Sequence, residues 1–495
     1  MKGNTNTKAW IITSAVVGIV LILAAIFFYH NFFRQTKAPL IETVPAEAAF
    51  VFEINDNEQF VKSSASLMPY LTDLFALDGL AGFESFLEKT AKKNEPILVS
   101  GFVQDEKIVP VFSTRMDEHY FKNLLKLLQI DPRNNIKFEE CEIYAYGTHY
   151  KDFKFVFHNN VFSVSEDVEL LKKTIVQLKY PKGLIRDKSF GELHQLVEKN
   201  VKQNWLLLNP TAYAPYLASK TDESVRSFGE QIAEMGDWCA CQLRFTDDEM
   251  FLSGYIYTDH PMVLKYGDAK AAEEFPQRII PVSVTSMTIV DNANQQSLSE
   301  YVKKEKALAN ADQLGDYQRI SPLQSIFFSL PGDSITYHYC ALKLDTLKAS
   351  FASFFSDTLY ADSLLRSTPN GIYPCDAVNF AGLFSTKAHN DEYHYFMPVK
   401  DYFILADTTT SLEHYKSVVK NDNYVESSNA YRFAASNTPS DAVFTFVFLN
   451  NDEALGKYMS GDFVKKTSLN KLKVMVFSHS VPDKKLVTCN IYMKF

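Results

Sequence analysis

Hydrophobic positions along this chain fall at one of two periods, except near the start, where a long run has no period at all. From Ala9 to Phe33 there is no Asp, Glu, Lys or Arg. The strongly apolar part, Ala9 to Tyr29, is 21 residues, or about 31 Å of α-helix. That length matches a hydrocarbon core of ~30 Å, and Trp10 and Tyr29 stand where interfacial aromatics sit. Downstream, Ala48 to Ile54 reads as a strand running into Asn55-Asp56-Asn57, which can cap a helix reaching Ala76. Ile97 to Phe102 and Ile108 to Phe112 form a hairpin turning at Asp105-Glu106. A helix follows from Asp117, with Phe121, Leu124, Leu125 and Leu128 on one face.

The unit then recurs. Phe153 to Phe157 and Val161 to Val164 turn through His158-Asn159-Asn160, and Ser165 stands where it would cap a helix carrying Val168, Leu171, Ile175 and Leu178. Trp205 to Leu208 is a strand, and Asn209-Pro210 opens a helix in the favoured cap-then-proline order. Trp238 to Phe245 and Met250 to Tyr257 close a hairpin over Thr246 to Glu249. The second half repeats this order. Pro45 precedes a strand as Pro281 precedes Val282 to Val290, 236 positions on. Phe162 and Leu208-Asn209 correspond to Phe403 and Leu449-Asn450 at 241, and Phe251 to Leu486 at 235. Short loop insertions produce such drift, and a period this long implies paired domains rather than a solenoid. Hairpins followed by helices, without regular βαβ alternation, predict an α+β fold of mainly antiparallel sheet. Each half is expected to carry about eight strands and four or five helices.

The apolar run is too long for a cleaved signal peptide, whose core is ~7–15 residues. Phe27, Phe28 and Tyr29 close it, the nearest Ala-x-Ala is at Ala46-Glu47-Ala48, and no cysteine precedes Cys141 to serve a lipoprotein signal. The flanking charges, Lys2 and Lys8 against Arg34 and Lys37, tie on the positive-inside count. A short tail before a long folded body is a signal-anchor layout, which puts the body outside the cytoplasm. The expected organisation is a cytoplasmic tail at 1–8, a transmembrane anchor at 9–30, a tether at 31–43, one α+β repeat at 44–262, a connector at 263–279 and a second repeat at 280–495.

Composition adds exclusions. A net charge of −9 with scattered Lys and Arg argues against nucleic acid. Glycine, at 18 of 495 residues, is too sparse for many phosphate-cradling turns. The 39 phenylalanines and 26 tyrosines suit strands and a thick core. Six dispersed cysteines make no disulfide framework.

Candidate chemistry is thin. Cys239-x-Cys241 and His338-x-Cys340 each put two soft ligands on one face of a strand, a conceivable metal site if the halves meet there. The apolar strand around Cys239 and Cys241 favours buried free thiols instead. No cysteine stands at a predicted helix start, and no metalloprotease, nucleophile-elbow, Walker or dinucleotide pattern occurs. No catalytic, cofactor-binding or metal residue is assigned.

The anchor, the short tether and the opening strand Val44-Pro45-Ala46-Glu47-Ala48-Ala49-Phe50-Val51-Phe52-Glu53-Ile54 resemble those of a bacterial membrane-anchored periplasmic family bearing a domain of unknown function. The resemblance implies an inner-membrane envelope protein with its body in the periplasm, and it brings no catalytic residues. The expectation is a non-catalytic binding or scaffolding body. The alternatives are a carrier or sensor of a lipid-like or glycan ligand, and a hydrolase with dispersed acidic residues. The expected partners are the membrane and either a protein or an apolar or glycan ligand, with no nucleic acid and no cofactor.

Overall fold

The computed structural model describes residues 40–495 apart from 78–94, 131–134, 148–151, 181–182, 199–202, 221–237, 258–274, 277, 285, 292–294, 306–308, 333–334, 345–370, 380–382, 385–391, 421–423, 450–470 and 482–485. The predicted tail and anchor, most of the tether and most of the connector lie outside the described residues. Among the described residues no helix is long and apolar enough to cross a membrane.

Mostly antiparallel sheet with short helices makes the body α+β, as the periodicity predicts. Among the described residues nineteen strands join in one sheet. The first ten are β1 (Phe50–Ile54), β2 (Ile97–Gln104), β3 (Lys107–Arg115), β4 (Ile136–Phe138), β5 (Cys141–Gly147), β6 (Asp152–His158), β7 (Val161–Ser165), β8 (Trp205–Leu208), β9 (Trp238–Phe245) and β10 (Glu249–Tyr257). They lie in the order β4-β5-β6-β7-β3-β2-β1-β8-β9-β10, every neighbour antiparallel. The rest are β11 (Ser286–Asp291), β12 (Gln324–Pro331), β13 (Thr336–Lys343), β14 (Tyr373–Val378), β15 (Tyr393–Val399), β16 (Tyr402–Ala406), β17 (Phe444–Leu449), β18 (Val474–Ser480) and β19 (Leu486–Lys494). Their order is β14-β15-β16-β13-β12-β11-β17-β18-β19, again antiparallel throughout. Thus every pairing among the first ten, except that of β4, recurs among the last nine. β10 and β19, which occupy the same place in the two series, pair with each other and join them.

Helices cover both faces. On one face α1 (Asn57–Ser64), α2 (Met68–Phe75), α3 (Glu118–Leu127) and α6 (Pro210–Lys220) bury Phe60, Leu71, Phe121 and Tyr213 against β1–β3 and β8–β10. On the other, α4 (Val168–Lys179) and α5 (Lys188–Glu198) bury Leu171, Ile175, Phe190 and Leu193 with Leu40, Ile41 and Val44. In the second half α9 (Thr409–Val419) and α10 (Asn429–Asn437) take the place of α4 and α5. There, α7 (Gln295–Glu305) and α8 (Ala309–Ile320) cover the opposite side. Across the join Met250 faces Met493, Met493 faces Met475 and Met475 faces Phe448, so the α1–α3 side runs on unbroken.

Local chemistry recurs with the topology. Asp167 caps α4 by accepting from Glu169 N and Leu170 N, and Thr408, 241 positions on, caps α9 by accepting from Ser411 N. Leu184 N donates to Val44 O at 3.3 Å, and Val425 N to Ile280 O at 2.8 Å. Replacing Asp167 by Ala strips the first turn of α4 of its acceptor and is expected to cost about 1 kcal/mol, read as a lowered denaturation midpoint.

Several sequence expectations shift. Asp167, not Ser165, caps α4; the Ser165 hydroxyl bonds Asp167 N and Pro110 O instead. The strand expected at Val282 to Val290 begins only at Ser286, because Pro281 to Val284 closes a turn through Val284 N to Pro281 O. Among the described residues the halves carry ten and nine strands, against about eight expected in each. Leu208 and Leu449, matched at 241 positions, pack into clusters on opposite faces, so that station is misaligned by an odd number of residues.

Candidate functional site: a cleft beside the first 3-10 turn

The described residues begin with a 3-10 turn, Leu40–Thr43, tied by Thr43 Oγ1 donating to Leu40 O at 2.7 Å. The described end of the predicted tether is therefore packed, with Leu40 and Ile41 buried beside α4 and α5. This turn, the C-terminal ends of β1 and β3, the start of β2 and the last turn of α5 enclose a cleft of about 450 Å³. Leu40, Ile41, Leu98 and Val197 make its apolar part, and Glu53, Arg115, His194 and Glu198 its polar part.

Glu53 is the one charged residue of β1, whose pattern is otherwise apolar, F-V-F-E-I. By period two it points with Val51 toward the α4–α5 face. His194 lies on the buried stripe of α5 with Phe190, Leu193 and Val197. The two meet across 141 residues, His194 Nε2 standing 2.9 Å from Glu53 Oε1. Side-chain exposure is 4% for His194 and 16% for Glu53, so a carboxylate that would be costly to bury alone has its donor. Since the carboxylate only accepts, Nε2 carries the proton. Nδ1 is 3.5 Å from Glu198 Oε1, one turn on, and Glu198 is half exposed.

Burial works to lower the His194 pKa, but the hydrogen bond and charge of Glu53 and the charge of Glu198 prevail, lifting it above its ordinary 6.5. The Phe190 ring stacks on the imidazole at 5.6 Å, and Trp238 meets Phe190 edge-on at 4.9 Å. Arg115 faces the cleft from β3; burial lowers its pKa while the charges of Glu95 and Glu42 oppose that. The strand end below is held by Asn55 N donating to Asn204 Oδ1 at 2.9 Å and Asn55 Nδ2 donating to Gln203 O at 2.8 Å.

The second half does not repeat this chemistry. At 241 positions from His194 α10 carries Ala435, next to the buried Tyr431 and Ala434. There the corresponding segment is fastened by tyrosines instead: Tyr415 OH donates to Ile279 O at 2.6 Å, and Tyr431 OH donates to Pro276 O. Tyr415→Phe keeps the ring and removes that donor from a buried carbonyl. A loss of about 1–2 kcal/mol is expected, read by chemical denaturation.

The cysteine candidates resolve differently. Cys241 meets Cys489 over the central strand β10, Sγ to Sγ 3.6 Å, while Cys340 lies in a separate cluster. His338 Nδ1 is 2.8 Å from Ser329 Oγ. Hydrogen bonding to Cys241, then burial, pushes the Cys239 thiol well up, and burial does the same to Cys340. Thiols so held stay protonated at neutral pH, unsuited to ligation or attack. Among the described residues no group of three His, Cys, Asp or Glu is placed to hold a metal ion.

No family model matches the chain, and no curated protein matches it either. Among solved structures it is similar to crystal form IV of TP0453, with 11% identity and a TM-score of 0.28 over 45% of this chain and 83% of that one. Crystal form I of TP0453 gives 9% identity and a TM-score of 0.23 over 78% of this chain and 98% of that one. At these scores the likeness carries no argument about fold or function.

Proposed function

We propose that this chain is a single-pass envelope protein, anchored by residues 9–30, whose duplicated α+β body faces the periplasm and binds a ligand or partner without catalysis. One repeat spans 44–262 and the other 280–495. The recurrent strand pairings and caps support the duplication. The observation that carries the binding reading is the cleft beside Leu40–Thr43, because it combines an apolar wall with a few converging polar groups, as ligand sites do. It also lies beside Leu40–Thr43, the first described residues after the proposed anchor. The cleft's size favours a lipid-like or glycan-sized ligand over a macromolecular segment.

The His194 environment supports the non-catalytic reading. Nε2 is committed to Glu53, Nδ1 stands 3.5 Å from Glu198 Oε1, and no Ser, Thr or Cys stands among the described lining residues to be activated. Native mass spectrometry of the full-length protein, extracted from membranes in detergent, tests the proposal. A small-molecule adduct should be present and should fall at least tenfold in Glu198→Trp, which fills the mouth of the cleft. An adduct unaffected by that substitution would move the ligand elsewhere on the body. No adduct in either protein would reject the cleft as a small-molecule site.

A further inference from the structure

Glu198 is the last residue of α5, where a carboxylate opposes the helix dipole, and a cation one turn earlier offsets that. His194 is that cation when both ring nitrogens carry protons. It then donates from Nε2 to Glu53 on β1 and presents Nδ1–H to Glu198, tying the sheet to the end of the helix. When His194 is neutral, Nε2 keeps its proton for Glu53, and Nδ1 becomes a lone pair facing an anion. The contact that held Glu198 turns repulsive. Val197 and Glu198, which line the cleft, belong to the turn released.

We propose that His194 is a proton-operated latch that fastens the last turn of α5 over the cleft, closed when doubly protonated and loosened when neutral. This rests on reading the cleft as a binding site, and it names how that site is regulated. The charged groups on the elements packed around α5 and the cleft are Glu53 on β1, Lys107 and Arg115 on β3, Arg244 on β9, Glu249 on β10, Arg186 in the preceding turn and Glu42 in the first 3-10 turn; on α5 itself Glu198 is nearest. Of these, Glu53 and Glu198 reach the imidazole nitrogens. Loss of the Nδ1 proton that faces Glu198 releases the contact, so the latch opens as pH rises, and the raised imidazole pKa puts that opening above 6.5.

The protein contains its own reporter. It has three tryptophans. Trp205 lies directly opposite Glu53 in the β1–β8 pairing, and Trp238 abuts the Phe190 ring that stacks on His194. The full chain carrying Trp10→Phe, in detergent micelles, should show one fluorescence transition between pH 5 and 9, with its midpoint above 6.5. In the same background His194→Gln should abolish the transition. Glu198→Gln should keep it but shift its midpoint down, and this second variant leaves the Glu53 contact intact should His194→Gln fail to fold. A transition that persists in His194→Gln, or a midpoint unmoved by Glu198→Gln, overturns the latch. The two readings fail separately: absence of the transition from the Trp10→Phe protein itself, with a bound adduct retained, rejects the latch alone. A His194-dependent transition with no adduct at any pH rejects the binding site.

Discussion

Replacing Gly254 by alanine should destabilise the body by at least about 3 kcal/mol, the upper range for overpacking a well-packed interior. Gly254 lies at the middle of β10, flanked by Cys241 on β9 and Cys489 on β19. A Cβ built there would stand 1.8 Å from the backbone oxygen of Ala240 and 2.8 Å from Cys241 Cα. Neither is the end of a flexible side chain, so relief requires β9 to move away from β10. That would open the core that Cys239, Cys241 and Leu252 share. It would also strain the strand through which the two halves are joined. Gly315 supplies the control. It lies inside α8, and a Cβ added there would meet nothing within 4 Å. Gly315→Ala should therefore stabilise by about 0.5–1 kcal/mol through the unfolded chain and helix propensity. Denaturant midpoints of the two variants should move in opposite directions. A Gly254→Ala midpoint within error of the parent would show that the β9–β10 approach is looser than these distances imply.

Much of the fold was legible because strands and turns announce themselves locally. Asp105-Glu106 and Asn159-Asn160 all take positive φ, between 46° and 61°, as tight hairpin turns require. Asn209 accepts from Ala212 N at the start of α6, the cap its order with Pro210 predicts. The recurrence of segments was visible too, since the stretch from Phe162 through the cap of α4 keeps its offset of 241 in the structure. What failed was register. Leu208 and Leu449 look alike in sequence, but β8 and β17 are short apolar runs whose two faces are both buried, so composition does not say which side faces which. The order of strands was likewise unreadable, because β1 pairs with both β2 and β8, strands that lie far apart in the chain.

The site was hidden for a different reason. Glu53 reads as the polar position of an alternating strand, and His194 as one more member of an apolar helical stripe. Each has a bland explanation alone, and only the packing of α5 on β1 makes them a pair. A carboxylate inside an otherwise apolar strand was the available signal, since such a group must find a donor when buried. Nothing in the chain says that the donor is 141 residues away.

His194→Leu is the second large effect expected. It fills roughly the same volume but leaves the Glu53 carboxylate partly buried without its donor. Breaking a buried pair on one side costs ~3–5 kcal/mol, and the partial exposure of Glu53 places this case toward the lower figure. The matched double variant Glu53→Leu/His194→Leu removes both polar groups and should recover most of that loss, because apolar replacement of a buried pair is often nearly neutral. The shortfall of the single variant relative to the double would then measure the stranded carboxylate, not lost packing. Proton linkage gives an independent signature. A histidine whose pKa is raised on folding contributes stability that is fully present below its unfolded value near 6.5 and is lost as pH rises through the folded value. The parent protein should therefore lose stability above pH 6.5 in a way that both leucine variants do not. If the parent and His194→Leu show the same pH profile across that window, the Glu53–His194 bond is not what holds α5 to the sheet.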